Sequence, residues 1–449
     1  MTGNGFVVLD RRPVAADAGL ARDLARLVAD ALVDEQMRRA TAQRPALDGH
    51  SERDFARQLV EQELDALATR QLTEGTEPLA PEGETLLADA VLASVLGLGR
   101  IQPLLDDPEI SDIHIRGCDS VWLKRRDGHR VPGPAVADSD EELVELVRIA
   151  AARLGRDERR FDAANPELNV QLPDGSRLFA VMAVSGRPAV VIRRHQFELS
   201  DLGELETRGL VDRGLREFFA AAVRARRNLV VAGGTGSGKT TLLRALLNEV
   251  PPTERIVTIE DAYELGIEHF ADRHPDHDSL QARPANTEGR GAVTMADLTR
   301  MALRMDPDRV VVGEVRGAEA FPMLLAMSQG NNGSMCTMHA DSSRSVFPKL
   351  AAYVSMAETG LPIETVNLLL ANAVHFVVHI ELIAGVRRVT SVREVIDADG
   401  ARITSNEVFR PGFDGWAVPG YPMRDTTLDL FEDVGYDPTL LDRPEGWWR

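Results

Sequence analysis

Four glycines within six residues, set between an apolar run and a helical segment, restrict this chain more than any other feature. Residues 228–241 read Asn-Leu-Val-Val-Ala-Gly-Gly-Thr-Gly-Ser-Gly-Lys-Thr-Thr. The run 229–232 is of strand type and 242–248 reads as helix. Gly233 to Thr240 satisfies the phosphate-loop pattern G-x-x-x-x-G-K-[ST] in full. Glycine permits backbone conformations that a β-carbon would block, so successive N–H groups can turn inward onto phosphate oxygens. The helix N-terminus adds partial positive charge at the same place. The candidate nucleotide-binding residues are Gly233, Gly234, Thr235, Gly236, Ser237, Gly238, Lys239, Thr240 and Thr241. Lys239 would reach the β- and γ-phosphates of ATP, and the Thr240 hydroxyl would bind Mg²⁺.

From Leu210 onward helix and strand patterns alternate, as a parallel sheet with crossover helices requires. Further strands are expected over 255–259, 309–312 and 334–337, and helices over 295–305 and 319–327. Three of these strands end in chemistry. Arg255-Ile-Val-Thr-Ile-Glu260-Asp261 ends in two carboxylates. Arg309-Val-Val-Val-Gly-Glu314-Val-Arg316 puts a carboxylate after an apolar strand, and Gly333-Ser-Met-Cys-Thr337-Met-His339 ends in Thr and His. In a parallel sheet these ends share the edge where the phosphate loop lies and ligands bind. One carboxylate beside Mg²⁺ can hold its water ligands while a second orients or deprotonates an attacking water. Glu314, with Thr240, is the candidate metal ligand; Glu260 is its partner in catalysis, and His339 would sense the γ-phosphate or position water.

The N-terminal half reads differently. Residues 1–83 form a helical segment and linker, with Leu20, Leu24, Leu27 and Ala31 at helical spacing, then Phe55, Leu59 and Leu67. Breakers crowd 73–83. Residues 84–195 read as a small α+β domain: helices over 86–98 and 141–154, strands over 110–115, 121–124, 169–172, 178–184 and 189–193. Polar residues 196–209 form a hinge, 210–404 the α/β domain, and the aromatic-rich stretch 405–449 carries no clear period.

Composition narrows the partners. A net charge of −19 argues against a chain whose main work is gripping nucleic acid. Cys118 and Cys336, the only cysteines, supply neither a disulfide framework nor a zinc spacing. The start, with Asp10-Arg11-Arg12 after a short apolar run, does not read as a signal peptide, and no run reaches the roughly 18 apolar residues of a membrane span. A cytoplasmic protein reaching a membrane through a protein partner is expected. Residues 271–278 hold two His and three Asp but match no standard ligand spacing, and read as a solvated loop.

The order phosphate loop, Ile-Glu-Asp box, Gly-Glu-Val-Arg segment and Thr-x-His-Ala segment resembles the type II/type IV secretion ATPase superfamily. The stretches 285–291 and 303–309 look like its CpaF/TadA branch, which drives tight-adherence pilus assembly. The resemblance implies an α/β, RecA-like P-loop NTPase domain preceded by the small α+β domain and the helical segment. It implies Mg²⁺-dependent ATP hydrolysis by a ring hexamer that pushes on an inner-membrane platform protein. It further implies that Arg177 and Arg193 reach the γ-phosphate from the α+β domain, that Glu260 and Glu314 share water activation and Mg²⁺ work, and that His339 is the histidine-box residue. A departure is Asp306, where relatives often carry Arg. The nearest alternatives are a conjugation-type secretion ATPase and, from another class, a nucleic-acid translocase.

Overall fold

In the computed structural model, residues 18–47, 49–154, 160–172, 174–194, 201–283, 285 and 289–442 are described. The chain divides into two compact units, Met1–His195 and Gln196–Arg449.

The first unit begins with three helices, α1 (Ala18–Thr41), α2 (Gly49–Glu74) and α3 (Pro81–Leu96). Leu24, Val28 and Leu32 of α1 meet Ala56 and Val60 of α2 and Leu87, Val91 and Val95 of α3 in one core. The buried stripe therefore runs at i, i+4, i+8 and leaves Leu27 half exposed at 50%. Two expectations shift here. The linker is shorter than 73–83, because Pro81 starts α3, where its missing N–H costs nothing. The helix expected to open the α+β domain instead packs on α1 and α2.

After α4 (Gln102–Asp106) come β1 (Ile110–Arg116), β2 (Ser120–Arg125), β3 (Arg130–Pro132), α5 (Asp140–Leu154), β4 (Glu167–Gln171), β5 (Arg177–Val181) and β6 (Ala189–Arg193). The strands form one sheet in the order β3-β2-β1-β6-β5-β4, with every pairing antiparallel. Alternation along β1, β5 and β6 sends Ile113, Leu178, Ala180, Val190 and Ile192 into a core shared with Leu143, Val147 and Ala150 of α5.

The second unit contains α6 (Leu202–Thr207), α7 (Arg213–Arg224), β7 (Leu229–Gly233), α8 (Lys239–Asn248), β8 (Ile256–Glu260), β9 (His277–Gln281), α9 (Met295–Ala302), β10 (Arg309–Val315), α10 (Ala320–Ser328), β11 (Met335–His339), α11 (Val346–Met356) and α12 (Ile363–Ala373). It closes with β12 (Phe376–Ile383), β13 (Val386–Asp399), β14 (Arg402–Pro411), β15 (Ala417–Pro419) and α13 (Asp425–Glu432). The nine strands run β15-β14-β13-β12-β7-β11-β10-β8-β9. From β12 to β9 all pairings are parallel; β13, β14 and β15 add an antiparallel extension. Leu229 and Val231 face one core and Val230 and Ala232 the other, as a strand covered on both faces demands. This is the RecA-like fold, with β11 standing between the glycine-loop strand and the strand of Glu314.

Three stretches differ from expectation. Within 196–209, α6 is formed, capped by Asp201 and buried through Leu202 and Leu205, and 196–200 lie outside the described residues. The stretch 271–278 runs into an edge strand, β9, whose residues are all half-buried; only Leu280 of its five packs on the apolar core, so it shows no apolar alternation. Its Asp276 and Asp278 are ion-pair partners of Arg255, and the described residues contain no acidic or histidine cluster fit for a metal. Residues 405–442 complete the sheet and cover it. Phe431 of α13 packs against Phe218 and Phe376 with ring centres 5.4 and 5.9 Å away. The buried Glu394 carboxylate accepts the Thr427 hydroxyl at 2.5 Å and the Arg424 N–H at 2.9 Å.

Candidate functional site

The glycine loop leaves β7 and enters α8 at Lys239. A β-carbon on Gly233 would lie 2.4 Å from the Ile380 carbonyl oxygen, so β12 approaches β7 here only because the residue is glycine. Gly236 and Gly238 have φ of +72° and +100°, the left-handed region. Gly238 precedes the first turn of α8 without a side-chain cap, which leaves the helix amides free for another acceptor. The Ser237 hydroxyl is buried and has no hydrogen-bond partner, an orphaned polar atom in the wall of the loop. Gly234 and Gly236 border open space. Thr240 and Thr241 are half-buried at the start of the helix.

Lys239 is buried and its ammonium uses three directions. It donates to the carbonyls of Gly233 (3.2 Å) and Gly234 (2.9 Å), and faces His339 Nδ1 at 3.4 Å. Burial lowers its pKa below the ordinary lysine value, opposed by the negative charge of Glu314 and Glu264. His339 ends β11, and its Nε2 lies 2.8 Å from Glu314 Oε1. With Lys239 facing Nδ1, the other ring nitrogen is the one turned to Glu314. Glu314 Oε2 forms an ion pair with Arg316 Nε at 3.2 Å, and Arg316 Nη2 donates to Asp261 Oδ2 at 2.9 Å.

A bulge aims Glu314. Between Val312 and Val315 β10 holds one residue more than the facing stretch of β11, so the strand turns its carboxylate toward His339. The Thr337 hydroxyl donates to the Gly313 carbonyl at 2.5 Å across the same gap.

Glu260 ends β8 and is buried. Its Oε1 accepts the backbone N–H groups of Glu264 and Leu265, each at 2.8 Å. Burial pushes its carboxyl up to about 7; the two N–H donors pull the other way. A β-carbon on Gly313 would lie 3.1 Å from Glu260 Cγ, so this carboxylate leans on the residue next to Glu314. The structure thus brings Lys239, His339 and Glu314 into one chain of close polar contacts, while Glu260 stands beside it capping its own loop.

Arg177 and Arg193 belong to the first unit. They face each other directly across β5 and β6, so both side chains share one sheet face. Arg177 Nε donates to Asn169 Oδ1 at 3.2 Å and Arg193 Nε to Asp112 Oδ1 at 3.1 Å. Arg194 bonds instead to the carbonyls of Asp107 and Ile110.

Sequence reasoning assigned no role to the Asp261–Arg316 pair, although both residues lie inside the motifs. It also missed Arg387, whose Nε donates to the Gly236 carbonyl at 2.8 Å from the antiparallel extension. Its signal in the chain is only the preceding Ala384-Gly385 turn.

The family model for type II/IV secretion system proteins matches residues 95–406. A protein of Mycobacterium tuberculosis named for conjugal transfer is 38% identical over 314 residues, which cover 68% of this chain and 86% of the relative. The type IV secretion system protein VirB11 of Brucella suis is 33% identical over 309 residues, 62% of this chain and 83% of its own. A crystal structure of that VirB11 ATPase in complex with sulphate aligns at 30% identity and a TM-score of 0.36, over 66% of this chain and 93% of that one. With the motifs in order and the match spanning most of its length, this chain belongs to the type II/IV secretion system protein family.

Proposed function

We propose that the protein hydrolyses ATP to ADP and phosphate, with Mg²⁺, as an oligomeric ring motor. The observation that carries this reading is the chain from Lys239 through His339 to Glu314, built at the mouth of the glycine loop. The Lys239 ammonium rests on two loop carbonyls and would exchange them for phosphate oxygens. The orphaned Ser237 hydroxyl and the uncapped amides of α8 offer donors to the same anion. The Thr240 hydroxyl and the Glu314 carboxylate are hard oxygen donors, suited to Mg²⁺, which takes one or two protein oxygens and completes its shell with phosphate and water. When bound, Mg²⁺ would neutralise charge on the phosphate oxygens. His339, touching Lys239 and Glu314, would carry the state of the phosphate site to the carboxylate. Glu260, with a carboxyl near 7, is suited to take a proton from water at neutral pH.

The client we propose is a tight-adherence (Flp-type) pilus or secretion machine. A homo-hexamer would turn ATP-driven motion of its two units into force on an inner-membrane platform protein, the protein itself remaining cytoplasmic. Family membership supports the secretion role, and the motif stretches quoted above support the pilus branch. Among the described residues no helix is long and apolar enough to cross a membrane. A conjugation-type client is the second reading, favoured by the relative named for conjugal transfer. ATP turnover by wild type and Lys239→Ala, with and without DNA, tests the enzyme: wild type turns over without DNA and Lys239→Ala does not. Equal turnover by both would remove the site, and strict dependence on DNA would favour a translocase. Deleting the gene then separates the clients, by loss of pili in one case and of plasmid transfer in the other.

A further inference from the structure

The last parallel pair of β12 with β7 sets Ile380 beside Gly233. β12 runs on to Ile383, turns through Ala384 and Gly385, and returns as β13 with Arg387 opposite Leu382. Both turn residues have positive φ, +48° and +84°, the two-residue turn whose twist matches the strands it joins. The hairpin therefore overhangs the phosphate loop. Its two arginines part to opposite faces. Arg388 donates to the Asp414 carbonyl at 2.5 Å, and its guanidinium carbon lies 4.7 Å from the centre of the Trp416 ring. Arg387 lies along the loop, with Nε on the Gly236 carbonyl at 2.8 Å and Cδ 3.2 Å from where a Gly238 β-carbon would stand.

Arg387 is exposed, and among the described residues it forms no ion pair with a carboxylate. A guanidinium carries five N–H donors, so one bond to a carbonyl leaves most of them available. Lys239 has Glu314 close by through His339, whereas Arg387 pairs with no carboxylate among the described residues. Two cations and the N-terminus of α8 thus converge where the Ser237 hydroxyl also lacks a partner. Like charges gathered in this way repel one another, and a bound anion relieves the repulsion.

We propose that Arg387 is a second phosphate-binding cation of this site, donating from the antiparallel extension to the polyphosphate of the bound nucleotide. The inference rests on the ATP-binding reading above. Through Nε the same side chain steadies the loop; through its remaining donors it supplies charge.

The test is the equilibrium dissociation constant of ADP for the full-length protein, as wild type, Arg387→Ala and Arg387→Lys, across a salt series. Arg387→Ala is expected to weaken ADP binding about tenfold at low salt, as loss of a charge-assisted hydrogen bond does. The deficit should shrink toward ~0.5 M salt, where exposed charges are screened. Arg387→Lys should recover part of the affinity, because it restores the charge without the planar fork. Wild-type affinity in Arg387→Ala would overturn the proposal and leave the proposed function standing. So would a loss of equal size at every salt concentration together with a lowered Tm of the nucleotide-free protein, the signature of a mere loop staple. Failure of wild type to bind ADP would overturn both readings.

Discussion

His339 Nε2 stands 2.8 Å from Glu314 Oε1, and the opposite ring nitrogen of His339 faces Lys239 Nζ at 3.4 Å. One imidazole therefore spans the lysine of the glycine loop and the carboxylate of β10, two groups seventy-five positions apart in the chain. Its two nitrogens face different partners, Nδ1 the ammonium and Nε2 the carboxylate. The two ends of the site therefore meet at a single ring.

Glu314→Gln is expected to bind ATP with near wild-type affinity and to hydrolyse it at least roughly 100-fold more slowly, the range for loss of a positioned catalytic group. Single-turnover kinetics beside nucleotide titration separates the two effects. Turnover within a factor of about two of wild type would remove Glu314 from the chemistry.

Glu260 predicts a pH dependence. Burial raises its carboxyl from the ordinary 4.5 to about 7, so the folded protein holds this proton more tightly than the unfolded chain does. The stability this group contributes is complete below about 4.5 and is lost as pH rises through about 7. Glu260→Gln keeps an oxygen acceptor for the Glu264 and Leu265 amides and cannot ionise. Wild type should therefore lose Tm relative to Glu260→Gln as pH rises across that window. A constant difference from acid to neutral pH would show that burial does not tune this group. If Glu260 is also the base, wild-type kcat rises through the same pH range.

Arg177 and Arg193 are proposed to act on the γ-phosphate held by their own chain. Rings mixed from Lys239→Ala and Arg193→Ala subunits test this. Action within one chain leaves every site lacking one group, so turnover stays at the level of the separate variants. Substantial recovery after confirmed subunit exchange would assign the arginines to the neighbouring subunit.

Phe431→Ala tests the role of the C-terminal helix. Phe431 is fully buried among Phe218, Phe376 and Tyr436, with ring centres 5.4 to 5.9 Å away. Its removal should cost about 3–5 kcal/mol of stability, as large-to-small changes in aromatic cores do. Denaturant unfolding measures it; a cost below about 1 kcal/mol would mean that α13 is a loose cover.

Much of the site is legible because its parts are local in the chain. The turn through Gly233 to Thr240 needs glycine at stated places and a lysine at the first turn of the helix, and short-range sterics enforce both. The carboxylates and His339 follow apolar runs, and a strand end in a parallel sheet announces the binding edge. The pairing of Arg177 with Arg193 was not legible, since it comes from antiparallel register between two strands.

By itself the sequence determined the glycine loop, the alternation of strand and helix around it, and the residue types at three strand ends, since each depends on backbone geometry over a few neighbouring residues. The tertiary structure decided the rest. The bulge at Gly313–Glu314 depends on pairing with β11, so the meeting of Glu314 with His339 required both strands in place. β9 is held as an edge strand by its register with β8, against a polar sequence that favours a loop. The stretch after 405 has no period of its own because its Phe409 and Phe431 answer to Phe218 and Phe376, far back in the chain. Arg387 reaches Gly236 only across 151 positions, through the parallel pairing of β12 with β7 and a two-residue turn. Such contacts arise from packing and register between distant segments, and a local pattern carries no record of them.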